Sequence, residues 1–120
     1  MDTFTLVRPE HLNHHGFLFG GQLLKWVDEL AWLAASRDFS GVKFVTIGME
    51  QIHFRQPVHN GSILRFHIEQ RRQSRTSVTY AVDVYADAPG ADEELHVFDN
   101  LVSFVSVDEN GNKQPLYPGS

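Results

Sequence analysis

The chain has 120 residues, enough for one domain with one hydrophobic core. Its formal net charge of -5 argues against a surface that holds a nucleic-acid backbone, because such surfaces are basic. There is no cysteine, which excludes disulfides, thiolate metal sites and cysteine nucleophiles and favours a cytoplasmic location. The N-terminus does not have the pattern of a signal peptide. The longest apolar run of the helix, 30–35, is too short to span a membrane.

A short strand over 3–7 is predicted to come first, followed by a loop over 9–19 and the one convincing helix of the sequence. The pair Gly20-Gly21 opens this helix, and the turn residues 36–41 end it. The helix is apolar on almost every side, so we expect it to be buried on every side. Asp28 lies in the middle of it. A carboxylate there needs a reason, because burying an unpaired charge is strongly unfavourable.

The residue pattern after the helix changes to that of strands. Four stretches are rich in β-branched and aromatic residues or alternate between polar and apolar residues, and they predict strands over 42–54, 63–71, 76–86 and 95–107. Consecutive strands favour an antiparallel sheet. One sheet covers only one face of the helix, so a second copy of the chain is predicted to cover the rest. We expect a single domain over 1–120, with a loosely ordered tail over 108–120.

The helix and the loop before it resemble the signature of a known family. The run HLNHHGFLFGGQLLKWVDELAW, at 11–32, is similar to the helix-loop signature of hotdog-fold acyl-CoA thioesterases. That family includes the bacterial short-chain acyl-CoA hydrolases and the cytosolic brain-type acyl-CoA hydrolase. Weaker matches follow in order at Val45-Thr46, at the F-R-Q-P-V segment 54–58 with Gly61, and at Arg75-Thr76-Ser77.

The resemblance implies an α+β hotdog fold, in which a curved five-stranded antiparallel sheet wraps a long central helix. It also implies a homodimer with a continuous sheet and two shared active sites. Dimers of this kind often assemble further into tetramers or hexamers.

Thioester hydrolysis needs hydrogen-bond donors for the developing oxyanion and a carboxylate that activates water or attacks the carbonyl carbon. Gly20 and Gly21 can supply the donors, because N–H groups at a helix N-terminus are unpaired and glycine lets a ligand approach closely. The alternative is a plain entry turn. Asp28 can supply the carboxylate, and the alternative is a helix salt bridge with Lys25.

Asp28 lies seven residues beyond Gly21, which is about 10 Å along the helix axis. One straight helix therefore has difficulty in presenting both groups to one carbonyl. Two antiparallel helices across a dimer interface would bring Gly21 of one copy near Asp28 of the other. The resemblance implies the same composite site.

Further polar residues match the family. Asn13 is expected to donate its side-chain amide to the thioester oxygen or to position the water, the alternative being a loop-capping role. Thr46 is expected near the carboxylate, where relatives place a hydroxyl, the alternative being an ordinary strand residue. His15 is expected to line the site or to bond the loop backbone. A metal site built from the loop histidines is not expected, because it would need three or four ligands in suitable geometry.

The basic turn at 72–77 supplies candidates for binding coenzyme A. Arg72 and Arg75, with Thr76 and Ser77, could bind its phosphates through charge and through hydroxyl and backbone donors. The alternative is a solvated basic turn. A glycine-rich phosphate loop of the nucleotide-binding kind does not occur.

The sequence therefore predicts a hydrolase that converts an acyl-CoA thioester into a carboxylic acid and coenzyme A, with no metal or other cofactor. One alternative is a hotdog module that binds acyl-CoA without cleaving it, although such a module would not need Asp28, Asn13 and the glycine pair together. Another is a hotdog dehydratase of 3-hydroxyacyl thioesters, whose usual histidine-Phe-Pro segment is missing. A thioesterase for acyl-carrier-protein esters would need a docking surface that the sequence does not reveal. Acyl chain length and pathway stay open.

Overall fold

The computed structural model describes residues 1–117. Within this range, one long helix packs against one sheet of five strands. The elements in chain order are β1 Asp2–Leu6, a 3-10 turn at Pro9–His11, α1 Gly20–Asp38, β2 Lys43–Phe54, β3 Ile63–Gln73, β4 Ser77–Asp87 and β5 Leu95–Val107. The strand order is β1-β3-β4-β5-β2, and every neighbouring pair is antiparallel. The predicted architecture is confirmed, with strand ends shifted by one or two residues.

The core lies between α1 and the inner face of the sheet. The predicted alternation is correct in β3 and β4, because one side of each strand is buried against the helix: Leu64, Phe66 and Ile68 in β3, and Val78, Tyr80, Val82 and Val84 in β4. Outward-facing Ile63 is 48% exposed. The difference in burial between the two sides of the strand fixes its register, since a one-residue slip would bring the exposed side to the core.

The edge strand β2 is less regular than the sequence suggested. Its pairing with β5 shifts between Thr46 and Gly48 and again between Glu50 and His53. Gln51, inside the second irregularity, has a φ of 52°, which is uncommon for a residue other than glycine. Bulges bend a strand and increase its twist, so they help β2 to curve around the helix.

In one copy of the chain, α1 is covered on one face only. The buried residues recur every three or four positions: Leu23, Val27, Ala31, Ala34 and Ala35. On another face, Trp32 and Leu33 are each 41% exposed. Complete burial of the helix, as expected from its sequence, therefore requires a further layer. Among the described residues, no helix has the length and apolar character to cross a membrane.

The C-terminal end of α1 is closed by neighbouring groups. The N–H of Phe39 donates to the carbonyl of Ala35 at 2.9 Å, and the hydroxyl of Tyr80 donates to the carboxylate of Asp38 at 2.7 Å. Burial raises the pKa of Tyr80, and the bond to Asp38 raises it further. The phenol therefore stays protonated and ties the end of the helix to β4.

The segment after β5 turns back onto the domain. The carboxylate of Asp108 accepts the N–H groups of Asn110 and Asn112. Leu116 is 2% exposed, and its N–H donates to the carbonyl of Arg75 at 2.9 Å. The segment is attached to the domain at Gln114 and Leu116, while residues 109–113 are exposed. Residues 118–120, the end of the predicted tail, lie outside the described residues.

Candidate active site

The loop before α1 is shaped by Asn13. The side-chain carbonyl of Asn13 accepts the N–H groups of His15 at 2.9 Å and Phe17 at 3.2 Å. The Asn13 N–H donates to the carbonyl of Phe17 at 2.7 Å. The side-chain carbonyl of Asn13 therefore has the loop-capping role that was the alternative prediction. Among residues 1–117, the amide NH2 at the other end has no hydrogen-bond partner, and the capping bonds hold it in a fixed orientation.

The N-terminal end of α1 is open. The N–H groups of Gln22 and Leu23 donate to the carbonyl of Phe19, whereas those of Gly20 and Gly21 have no partner within the described residues. Phe19 is the N-cap residue and offers no side-chain acceptor, although helices usually place Ser, Thr, Asp or Asn at this position. Two donors with partial positive charge are thus free at the start of the helix.

Aromatic rings explain why both positions are glycine. A Cβ at Gly21 would lie 2.7 Å from a ring carbon of Phe19, and a Cβ at Gly20 would lie 3.3 Å from the ring of Phe54. The first distance is too short for a real contact. Any side chain at Gly21 would therefore displace the Phe19 ring and crowd the free N–H groups.

Asn13 and Gly20 line one cleft of about 330 Å³, together with Phe17, Leu23, Phe54 and the segment 55–58. This space is called the Asn13 cleft below. The N–H of Leu18 donates to the carbonyl of Val58 at 2.9 Å, so the loop and the cleft wall are joined. Gly21 lies beside the cleft, one residue along the helix. Donors and apolar walls in one concave site are typical of a small-molecule site.

Asp28 lies further along α1 and faces β2. The hydroxyl of Thr46 donates to the carboxylate of Asp28 at 2.7 Å, which confirms the expected proximity of the two residues. Asp28 is half-buried, and within residues 1–117 it forms no salt bridge, with Lys25 or any other residue. Asp28 does not line the Asn13 cleft of its own chain. The geometry therefore agrees with a site in which donors and carboxylate come from different copies.

The remaining predicted binding residues lie apart from this cleft. His15 is exposed, and its backbone N–H donates a hydrogen bond to the side-chain carbonyl of Asn13. Arg72 lies 3.9 Å from the carboxylate of Glu50, and the Ser77 hydroxyl is 2.7 Å from that of Ser74.

The basic turn containing Arg75 and Thr76 lies at the opposite end of α1. The Tyr80 to Asp38 hydrogen bond places the start of β4 beside the C-terminus of the helix. A helix of 19 residues is about 28 Å long. One copy of the chain therefore does not bring the basic turn to its own Asn13 cleft.

Sequence reasoning missed two structural features near β2. Arg55 and Gln56 line the Asn13 cleft, although their segment served only as a family match. On the outer face of the sheet, Asp83, His96 and Asp99 present possible metal-ligand atoms within 4.8 Å of one another.

The outer cluster is already paired within itself. Arg55 donates to Asp99, and His96 Nε2 lies 2.9 Å from Asp83. Burial raises the pKa of Asp99, but the hydrogen bonds from Arg55 and His53 outweigh burial and lower it. The cluster is therefore an ion-pair network.

Comparison with known proteins agrees with this geometry. Mouse acyl-coenzyme A thioesterase 11 is 33% identical over 101 residues, which cover 84% of this chain and 17% of the mouse protein. Rat acetyl-coenzyme A thioesterase is 35% identical over 86 residues, which cover 72% of this chain and 15% of the rat protein. The chain thus spans less than a fifth of these relatives.

A solved structure is similar over nearly its full length. It is a hexameric hotdog-fold thioesterase of Campylobacter jejuni, with 31% identity and a TM-score of 0.85 over 96% of this chain and 88% of that one. The family model of the thioesterase superfamily matches residues 15–91, which contain the Asn13 loop in part, all of α1 and the strands β2 to β4. The chain has a hotdog fold and belongs to the thioesterase superfamily.

Proposed function

We propose that this protein hydrolyses acyl-CoA thioesters to a carboxylic acid and free coenzyme A. The observation that carries the proposal is the half-buried carboxylate of Asp28, held by the Thr46 hydroxyl at 2.7 Å, on a helix whose first N–H groups are free. A carboxylate and a set of oxyanion donors are the two groups that thioester hydrolysis requires. Family membership and the names of the relatives support the same reaction.

In this proposal, the thioester carbonyl rests on the Gly21 N–H and the Asn13 amide. Charge that develops on the oxygen is stabilised by these fixed donors. Asp28 removes a proton from water, whose oxygen bonds to the carbonyl carbon while the carbon–sulfur bond breaks and the thiolate takes up a proton. Direct attack by Asp28 would give the same products through an anhydride. Neither route requires a metal or another cofactor.

The complete site is proposed to need two copies of the chain. Within the described residues, β2 pairs on one side only, with β5. Its exposed residues include Val45 at 45%, Ile47 at 58% and Phe54 at 54%, and the exposed Trp32 of α1 adds to this apolar surface. Such a surface marks an interaction site. A homodimer is the smallest assembly that covers it, and tetramers or hexamers are larger assemblies of that unit.

Coenzyme A is proposed to place its phosphates near Arg72, Arg75, Thr76 and Ser77 of a neighbouring copy. The distance from this turn to the Asn13 cleft within one chain supports a contribution from another copy. His15 is proposed to flank the entrance. A cytoplasmic location is part of the proposal, and cell fractionation would test it.

The decisive experiment compares Asp28→Asn with Glu29→Gln. The first substitution removes the proposed catalytic carboxylate, and the second removes its exposed neighbour on the same helix. Thiol release from a panel of acyl-CoA esters, from acetyl to palmitoyl, should fall about 10³-fold or more in Asp28→Asn, while Glu29→Gln keeps the parent rate. A folded Asp28→Asn protein with the parent rate would remove Asp28 from the mechanism.

Mixed oligomers test the shared site. Asp28→Asn and Gly21→Pro proteins should each be inactive, yet each mixed dimer would contain one site with both native groups. Co-expression of two differently tagged variants and purification through both tags should therefore restore a substantial part of the parent activity. Mixed dimers that stay inactive would show that Gly21 and Asp28 act within one chain.

A further inference from the structure

A second cleft lies next to the Asn13 cleft. It has a volume of about 640 Å³ and is formed by the connection between β2 and β3 and the connection between β4 and β5. Gln56, Pro57, Val58 and Val97 line both clefts. The two spaces are therefore adjacent to each other. The second one is called the Ser62 cleft below.

The Ser62 cleft contains an unpaired buried hydroxyl. Ser62 lines the cleft and is 0% exposed. Among residues 1–117, its side-chain oxygen has no hydrogen-bond partner. A buried hydroxyl without a partner destabilises a protein by about 1–3 kcal/mol. Ser62 thus has an unused hydrogen bond beside the cleft. Because its hydroxyl is fully buried, a molecule in the cleft reaches it only when the lining residues shift slightly.

The shape of the Ser62 cleft is fixed by its two loops. Gly61 has a φ of +84°, and a Cβ there would lie 3.2 Å from the ring of Pro89, so the loops are in close contact. Ala86, Ala88 and Ala91 line the cleft, and their small side chains leave its interior open. A cleft of this volume is large enough for a small molecule.

The charge around the Ser62 cleft decides which end of a substrate fits. The loop residues 87–94 include Asp87, Asp92, Glu93 and Glu94, with no lysine or arginine among them. Glu94 is paired with Arg65 of β3. Asp92 and Glu93 line the cleft itself. Negative charge repels the phosphates of coenzyme A. The acyl end of a thioester carries no such charge and can pack on the apolar part of the lining, which includes Val58, Leu95 and Val97.

We propose that the Ser62 cleft receives the acyl chain, and that Ser62 favours acyl chains with an uncharged hydrogen-bonding group, a hydroxyl or an oxo group, beyond the α-carbon. This inference rests on the proposed thioester hydrolysis. In this arrangement the thioester carbonyl stays at Asn13 and Gly21, and the acyl chain continues past Val58. The hydroxyl of Ser62 then forms its hydrogen bond with the substituent of the chain.

Ser62→Ala tests the recognition of the substituent, with Ser106→Ala as a matched control. Ser106 is also 0% exposed, and its hydroxyl has no hydrogen-bond partner among the described residues. It lies opposite Phe44 in the register of β2 and β5, at the other end of β2. The measured quantity is the ratio of kcat/KM for a 3-hydroxyacyl-CoA to that for the plain acyl-CoA of equal length. Ser62→Ala should lower this ratio about three- to tenfold, and Ser106→Ala should not change it. An unchanged ratio in Ser62→Ala would overturn the role of Ser62.

Ala88→Phe tests whether the acyl chain enters the cleft. The added ring should raise KM for decanoyl-CoA about tenfold or more while KM for acetyl-CoA stays the same, because a two-carbon chain ends before Val58. Ser40→Phe, in an exposed turn at the other end of α1, is the control for an added surface ring. Equal effects on both substrates would overturn the proposal. A change of oligomeric state in Ala88→Phe would also overturn it, because the cleft would then be an assembly surface.

Binding of S-alkyl-CoA thioethers separates this inference from the proposed reaction. These compounds have no carbonyl and are not hydrolysed, so calorimetry measures chain-length-dependent affinity alone. One outcome is that the parent binds long thioethers, that Ala88→Phe weakens the binding of these alone, and that no ester is cleaved. In that case the acyl site stands and the hydrolysis proposal fails. If esters are cleaved but Ala88→Phe does not discriminate chain length, the hydrolysis stands and the acyl site fails. If the parent neither binds nor cleaves, both fail.

Discussion

The two ends of α1 are built in opposite ways. At the C-terminal end, Tyr80 donates to Asp38 and the N–H of Phe39 donates to Ala35, so the end of the helix is tied to β4 and to the following residue, although the nearby Ser36 hydroxyl has no partner within the described residues. At the N-terminal end, the N–H groups of Gly20 and Gly21 have no partner among residues 1–117. Phe19 occupies the N-cap position without an acceptor.

This difference shows that the N-terminal end of α1 is the end with hydrogen-bond donors available for a ligand. Capping residues stabilise a helix by about 0.5–2 kcal/mol, and the open end lacks that stabilisation. Asn13, whose amide NH2 has no partner among residues 1–117, lines the cleft that begins at the same end. Substitutions at the open end should therefore reduce activity, whereas substitutions at the closed end should reduce stability.

Among substitutions at the two ends of α1, the largest effect is expected for Gly21→Pro. Proline removes the N–H of residue 21 and is tolerated in the first turn of a helix. Loss of one oxyanion donor should lower kcat/KM about 10²–10³-fold, as measured by thiol release. Gly21→Ala is the control for the added carbon, because it disturbs the Phe19 ring as proline does but keeps the N–H. Equal activity of the two variants would show that the Gly21 N–H is not a donor.

Asn13→Asp should have the next largest effect. Aspartate keeps the acceptor for the N–H groups of His15 and Phe17, but it lacks the NH2 donor and adds a charge that opposes an oxyanion. We expect kcat/KM to fall about 10²-fold with little change in urea unfolding. Asn13→Ala should in addition lose about 1–2 kcal/mol of stability, because two loop N–H groups lose their acceptor. An active Asn13→Asp would leave Asn13 with a capping role only.

The open end of α1 was also the part that the sequence predicted best. The glycine pair, the loop before it and the apolar composition of α1 are local signals, so they place the helix start at Gly20 as observed. The proximity of Thr46 and Asp28 followed from the family resemblance and is present in the structure. The period of two in β3 gave the buried side of that strand correctly.

Other features depend on pairing between distant segments, which single-sequence patterns do not contain. The bulge at Gln51 arises from its register with β5. The two clefts share a wall at Gln56 and Val58 because separate loops meet there. The position of the Arg72 turn at the far end of α1 follows from the strand order, and its use in a site depends on a second copy of the chain.

Thr46→Val should have a moderate effect on activity, because the Thr46 hydroxyl donates a hydrogen bond to the carboxylate of Asp28. Valine has the shape of threonine without the hydroxyl, so Asp28 loses the hydrogen bond that orients one of its oxygens. We expect kcat to fall roughly tenfold, the equivalent of one hydrogen bond, with KM unchanged. Thr79→Val is the matched control, since it removes a 2.7 Å hydroxyl bond to Ser103 on the outer face. A kcat loss of equal size in both variants would assign the effect to general destabilisation.

Tyr80→Phe should have the smallest effect on activity and a measurable effect on stability. The hydroxyl is the only group removed, and the ring still fills the core between α1 and β4. Loss of the bond to Asp38 should lower the free energy of unfolding by about 1 kcal/mol, measured by urea titration, while kcat stays at the parent value. Asp38→Asn keeps an acceptor oxygen for Tyr80 and should lose less. If Tyr80→Phe instead lowered kcat at unchanged stability, the closed end of α1 would have to take part in the reaction, and the contrast between the two ends would no longer locate the site.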